Sequence, residues 1–171
     1  MSNLDQLANA KVGAATQRQA EKLDADVEAL KRLNAAKGLL KSGATVKQVI
    51  RLCEGSFVAI RDAASTEFGW VIQESLWVSP SLPEQLIAHA RQHLQVIFEA
   101  SEKHLEKITN LVGHPDLYAR LQPDLVAARD RAWTDISLAL EGQVQVKKNR
   151  FWKGAGGKLF GWIPKLFGLS K

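Results

Sequence analysis

Apolar residues return at steps of three and four along most of the chain, the spacing that gathers them on one face of a helix. The clearest run lies between Pro83 and Val112, where Leu86, Ala90, Leu94, Ile97, Ser101, Leu105, Ile108 and Val112 make a single stripe. Ser81 with Glu84 has the form of a capping box at its start, and Pro83 suits a first helical position. Gly113, His114, Pro115 and Asp116 make the turn that ends it. A second run follows Thr45 and Gln48, another pair with capping-box spacing, and places Val46, Val49, Cys53, Phe57, Ile60 and Ala64 on one face.

Two stretches are read less directly. In residues 66–78, Phe68, Trp70, Ile72, Leu76 and Val78 alternate as in a strand, whereas Phe68, Val71, Ile72, Ser75 and Val78 fit a helix. Alternation would set Glu74 among the apolar residues, and no partner strand is visible, so the segment is taken as helix ending before Pro80. After the turn at 113–116, a short helical piece is expected from Leu117 to Leu121. Pro123 then opens a last long helix with Val126, Trp133, Ile136, Leu140 and Val144 facing inward.

Residues 4–40 are rich in Ala, Leu, Lys, Glu and Gln, which favour helix, and Leu23, Val27, Leu30 and Leu33 recur at helical spacing. The early turns carry Ala8, Ala14, Ala15 and Ala20 where larger anchors are usual. The stretch therefore reads as an arm, frayed before about Gln17, stopped by Lys41, Ser42 and Gly43, and paired through those four residues with a second copy as a coiled coil. The expected architecture is all-α, an elongated up-and-down bundle of three to four long helices joined by short connections, with a short amphipathic C-terminal segment. Its parts are an N-terminal arm (1–43), a bundle body (44–148) and a tail (149–171).

The tail differs in kind. Lys158, Leu159, Phe160, Gly161 recurs as Lys165, Leu166, Phe167, Gly168. At about 100° per residue, Leu159, Phe160, Trp162, Ile163, Leu166, Phe167 and Leu169 take one half of the circumference, and the lysines and glycines take the other. The charge follows the same division. The net +5 comes from 23 Lys plus Arg against 18 Asp plus Glu, yet no acid follows Glu141. Residues 142–171 contribute +7, and residues 1–141 contribute 16 minus 18, or −2. The hydrophobic fraction of 46% with 24% charged residues is that of a folded chain and excludes disordered and collagenous classes.

Basic residues among Phe151, Trp152, Phe160, Trp162 and Phe167 have the composition of an interfacial anchor, in which aromatic and aliphatic groups enter the headgroup boundary while Lys153, Lys158 and Lys165 meet anionic lipid. The competing plain reading folds the tail back on the core or docks it on a sister subunit. Nucleic acid is disfavoured because one Arg stands among the seven basic residues and the apolar groups cluster instead of alternating with charge. No stretch reaches the roughly 18–20 apolar residues of a membrane span. One cysteine, Cys53, forms no internal disulfide, and Met1 to Asp5 lack the pattern of a secretory signal, so a cytoplasmic setting is expected.

Catalytic chemistry has no motif here. His89, His93 and His104 lie along one side of a helix, but no Cys or carboxylate completes a zinc set, and they are read as surface histidines. Gly154, Gly156, Gly157 and Lys158 only superficially suggest a phosphate loop, since Trp152 stands at the first glycine position and Leu159 at the Ser/Thr position. Cys53 on an inner stripe reads as a small core residue. No enzyme, cofactor or metal is expected.

The stretch from Pro83 to Val112, with Ala88 to Arg91, then Ala100, Ser101, Glu102, then Leu105, Glu106, Lys107, resembles the late helix of phasins, small helical proteins that coat polyhydroxyalkanoate granules; Phe57 to Ser79 adds a weaker match. The resemblance implies a helical protein without catalytic residues that oligomerises through coiled-coil segments and adsorbs to a hydrophobic polymer or lipid surface. The aromatic basic tail and five tryptophans depart from that family's pattern. The sequence therefore points to a non-enzymatic, homo-oligomeric protein, peripherally associated with an anionic membrane or storage granule through its tail. A helical adaptor or regulator whose tail docks in a protein groove is the alternative.

Overall fold

Two glycines with positive φ, Gly38 at 70° and Gly113 at 84°, mark where the chain reverses at one end of the molecule. Each ends a helix in the same manner. The Leu39 amide donates to the Asn34 carbonyl at 2.8 Å, and the His114 amide donates to the Thr109 carbonyl at 3.0 Å. These bonds satisfy last-turn carbonyls that the helix itself leaves open, and they require a left-handed residue before the donor, which glycine supplies at least cost.

The computed structural model describes residues 3–160, and the side chains of residues 3–150. Four helices make it up: α1 (Asn3–Ala36), α2 (Gly43–Glu74), α3 (Leu82–Val112) and α4 (Asp116–Phe160). No strand occurs among the described residues, and residues 66–74 are helical. The helices run alternately up and down. α2 touches all three others, α3 likewise, and α1 and α4 lie on opposite sides without meeting.

The core follows the stripes of α2 and α3. Leu86, Leu94, Ile97, Leu105 and Ile108 are fully buried against Phe57, Ile60, Phe68 and Ile72. Burying each such side chain contributes about 1.5–3 kcal/mol relative to exposure. Cys53 is fully buried here, and burial pushes its thiol up to about 11, which leaves no thiolate for chemistry at neutral pH.

Several local expectations are corrected. Thr45 is not a cap. Ser42 is the N-cap of α2, its Oγ accepting from the Thr45 amide at 3.4 Å, and Thr45 itself is buried. The Thr45 hydroxyl donates to the Leu39 carbonyl at 2.8 Å and accepts from Asn34 Nδ2, which also reaches Gln48 Oε1 at 2.7 Å. The spacing read as a capping box thus serves a buried polar link between α1 and α2. Ser81 makes no side-chain cap bond, and its hydroxyl lies 3.3 Å from that of Ser79.

α1 stops at Ala36, with Gly38 as the left-handed residue, and begins at Asn3. Its early turns are not frayed, because Ala8 and Val12 are fully buried and Thr16 nearly so. Small side chains bring this helix close to α2 and α3, so it belongs to the bundle. Leu23 and Val27, expected at a seam between copies, are buried within one chain; Leu30 is half-buried, and Leu33 is 51% exposed.

α4 is continuous from Asp116, with Pro123 inside it. The proline removes one bond in the second turn and faces solvent, while Leu121 and Leu125 on the inner side hold the helix to the core. Its inner stripe is Leu125, Ala128, Ala132, Ile136, Leu140 and Val144, and Val126 and Trp133 flank it half-buried.

Candidate functional site

The sequence places the surface-binding residues at the end of α4, so the site begins where α4 passes the end of α2. Lys147 Nζ donates to the carbonyls of Ile72 and Gln73 at 2.6 Å each and to that of Ser75. These are carbonyls at the C-terminal end of α2, where a cation is favoured by the partial negative charge of the helix terminus. Ser75 adds a second closure, its amide and hydroxyl both donating to the Val71 carbonyl. The helix therefore ends at Glu74, although Leu76 and Val78 continue the apolar pattern beyond it.

Past that point α4 has no acidic residue. Lys148 and Arg150 are exposed, and the helix runs on to Phe160. Among the sequence-derived surface residues, Phe151, Trp152, Lys153, Lys158, Leu159 and Phe160 belong to the last turns of α4, by backbone only. Trp162, Ile163, Lys165, Leu166, Phe167 and Leu169 lie outside the described residues. Because α4 at about 67 Å is longer than α3 at about 46 Å, with 1.5 Å of rise per residue, the tail starts from the end of the bundle that holds the α2–α3 loop.

That loop carries two side chains that pattern reading placed in a helix. Leu76 is 102% exposed and Trp77 is 76% exposed. The signal that would have revealed them is tertiary: Lys147, distant in sequence, takes the carbonyls where the helix stops. Glu74 and Glu84 stand at the two roots of the loop.

The three histidines of α3 are not at the surface in the manner expected. His93 Nε2 lies 2.9 Å from Asn9 Oδ1 and His104 Nε2 lies 2.7 Å from Asp24 Oδ1, both on α1. His89 Nδ1 is buried without a hydrogen-bond partner. Burial, reinforced by the neighbouring His89, holds His93 below the usual histidine range. The row is thus a polar seam between α1 and α3. No group of three His, Cys, Asp or Glu that could hold a metal ion occurs among the described residues.

The grooves offer positioning contacts more than reaction chemistry. One between α1 and α2 is lined by Lys11, Arg18, Asp62 and Glu67, and Lys11 pairs with Glu67 at 2.9 Å while its ammonium stands 5.1 Å from the Trp70 ring. On the α3–α4 side, Arg91 lies over Trp133 and Arg129 over Phe98, at 5.2 and 4.6 Å. Such pairs fix helix orientation and contribute on the order of 0.5–1 kcal/mol each at exposed sites.

No described helix is long and apolar enough to cross a membrane. Comparison of the chain with protein-family models, with curated proteins and with solved structures found no match.

Proposed function

We propose that this protein is a non-enzymatic helical protein that self-associates and adsorbs to an anionic membrane or hydrophobic granule surface through residues 149–171. The observation that carries the reading is the acid-free run after Glu141, with its repeated Lys, Leu, Phe, Gly unit, continuing from the helix that outruns the bundle. Even half-burial of its apolar groups provides several kcal/mol at about 1.5–3 kcal/mol per fully buried Leu or Phe, with about 1 kcal/mol from each lysine near anionic lipid. Lys147 is set aside from this count because it closes α2, which leaves Arg150, Lys153, Lys158, Lys165 and Lys171 within residues 149–171 for a surface, with Lys148 just before them. The phasin-like stretch in α3 supports the same class of behaviour.

The test is co-sedimentation of the intact chain and of a chain cut after Arg150 with anionic vesicles, neutral vesicles and polymer granules. The intact chain is expected to pellet with anionic vesicles or with granules, and the cut chain to stay in solution. Equal pelleting of the two chains would remove the tail from the account.

A further inference from the structure

We infer that the α1–α2 turn, at the end of the bundle opposite the tail, is a second cationic contact for an anionic headgroup layer, so that the chain tethers two membrane surfaces. The proposal rests on the reading of residues 149–171 as the first attachment, and it adds a second contact and an activity.

The positive charge of the body is concentrated at this turn. No acid lies between Glu28 and Glu54, and residues 29–53 hold Lys31, Arg32, Lys37, Lys41, Lys47 and Arg51. They contribute +6, whereas the rest of residues 1–141 contribute 10 minus 18, or −8. Lys31 is paired with Glu28 at 2.7 Å, and Arg32 acts on the same carboxylate. Lys37, Lys41, Lys47 and Arg51 are exposed and, among the described residues, have no carboxylate partner. The α3–α4 turn shares this end, and its Asp116 stands 4.0 Å from Arg120, so those two charges offset each other.

The turn is also fixed and partly apolar. The Leu39 amide donates to the Asn34 carbonyl and the Leu39 carbonyl accepts from the Thr45 hydroxyl, and the Asn34 and Thr45 side chains are buried. With its backbone held in this way, Leu39 keeps its side chain about half exposed between Lys37 and Lys41, as Leu33 does beside Arg32. A contact whose backbone is already ordered loses little further freedom on binding.

The occupant follows from what surrounds those cations and from what a partner could offer them. The flank of a second copy offers little, because many of its carboxylates are engaged in their own chain: Glu67 with Lys11, Asp62 and Asp135 with Arg61, Asp130 with Arg129. Nucleic acid is disfavoured because four of the six cations are lysines, no aromatic residue for base stacking lies within 29–53, and leucines stand among the charges. Lysines around exposed leucines match a headgroup layer, the ammonium groups meeting lipid phosphates and the leucines the apolar boundary. α2 puts about 48 Å, at 1.5 Å per residue, between this turn and the end from which the tail departs, so the two contacts face away from each other. A few lysines give a contact with a dissociation constant only on the order of 1 mM, too weak to hold a chain that lacks its tail. Many chains arrayed by their tails on one vesicle present the turns together, and a second vesicle is then held by their number.

The experiment mixes the full chain with two populations of phosphatidylcholine and phosphatidylglycerol vesicles, one carrying a donor dye and one an acceptor. Energy transfer reads tethering, and pelleting reads attachment. The intact chain is expected to do both, with bridged vesicles about 50 Å apart by electron microscopy. Lys37→Glu with Lys41→Glu should pellet within about twofold of the intact chain and tether about tenfold less or weaker still, and Leu39→Ser should also reduce tethering. Arg18→Glu with Arg131→Glu, which takes the same charge from exposed flank positions, should tether like the intact chain.

Unchanged tethering in the Lys37 and Lys41 variant, or a gap near twice the expected width, would assign the bridge to tails of an oligomer; it would overturn the inference and leave the tail reading standing. Pelleting of the intact chain without energy transfer would do the same. Equal loss in the flank variant would trace the effect to overall charge and overturn the site. Tethering that survives Trp162→Ala with Phe167→Ala, and is lost when Lys37→Glu and Lys41→Glu are added, would support the turn contact and remove the tail reading. An intact chain that does not pellet would end both. Capture of labelled duplex DNA by vesicle-bound chain in preference to the second vesicles, lost in the Lys37 and Lys41 variant, would overturn the lipid assignment in favour of nucleic acid.

Discussion

Lys147 Nζ lies 2.6 Å from the Ile72 carbonyl, so a cation that belongs by sequence to the basic tail closes a helix of the body. Lys147→Met should therefore destabilise the fold by about 1.5–3 kcal/mol, the range for hydrogen bonds to a charged group, with a lower melting temperature. Lys148→Met, one residue on and exposed, should leave the melt unchanged. Equal melts for the two variants would show that Lys147 is not holding α2.

Leu23 and Leu33 lie on the same apolar pattern but in different environments. Leu23→Ala should destabilise each chain by about 2–5 kcal/mol, and the loss should be the same at every protein concentration because the contacts are internal. Leu33→Ala should hardly change the melt of an isolated chain and should act, if at all, on association, read by light scattering. A concentration-dependent loss for Leu23→Ala would return that residue to a seam between copies.

His93 makes stability depend on pH in a known direction. Its folded pKa is lowered from the ordinary value near 6.5. The unfolded chain therefore binds its proton first, and the contribution is intact above about pH 6.5 and falls as pH drops through that value toward the lowered one. The groups facing it are Asn9 and Gly13 of α1 and His89 on its own helix. Melting temperature should decline between about pH 7 and 5, and His93→Gln, which can still bond to Asn9, should flatten that decline. An unchanged slope in the variant would assign the effect to other groups.

The stripes of α2 and α3 were legible because Val49, Cys53, Phe57 and Ile60, and Leu86, Leu94, Ile97 and Leu105, keep steps of three and four with large side chains at most of them. α1 was misjudged at its start because Ala8 and Val12 bury little area each, and close approach, which periodicity does not report, makes them core. Pro123 looked like a helix start since proline favours that position, but Leu121 and Leu125 pack on both sides of it and carry the helix through. The ends of α2 were hidden for another reason. Thr45 and Gln48 are engaged by Asn34, and Ser75 by Lys147, partners that no local window contains. Of the candidate site, the proposal of the tail comes from composition alone, whereas the exposure of Leu76 and Trp77 emerges only once the helix is seen to stop.

The tail should separate attachment from stability. Trp162→Ala with Phe167→Ala is expected to remove about 3–6 kcal/mol of surface affinity if both rings are fully buried, and less at headgroup depth, without moving the melting temperature. Reversing the charge at Lys158 and Lys165 should weaken binding to anionic vesicles and spare neutral surfaces. A fall in melting temperature for the Trp162 and Phe167 variant would place the tail in the folded core.

α1 rests on α2 and α3 and does not reach α4, and part of its contact is the polar row of Asn9 with His93 and Asp24 with His104. The remaining three helices each touch the other two and close a unit without it. Amide exchange should consequently divide the molecule: the backbone of α1 opens in one partial event and takes up deuterium ahead of α2 and α3, whose protected amides wait for global unfolding. In refolding followed by pulsed exchange, the same division should make α1 the last helix to gain protection, after the segments of α2 and α3 that bury Phe57 and Ile97.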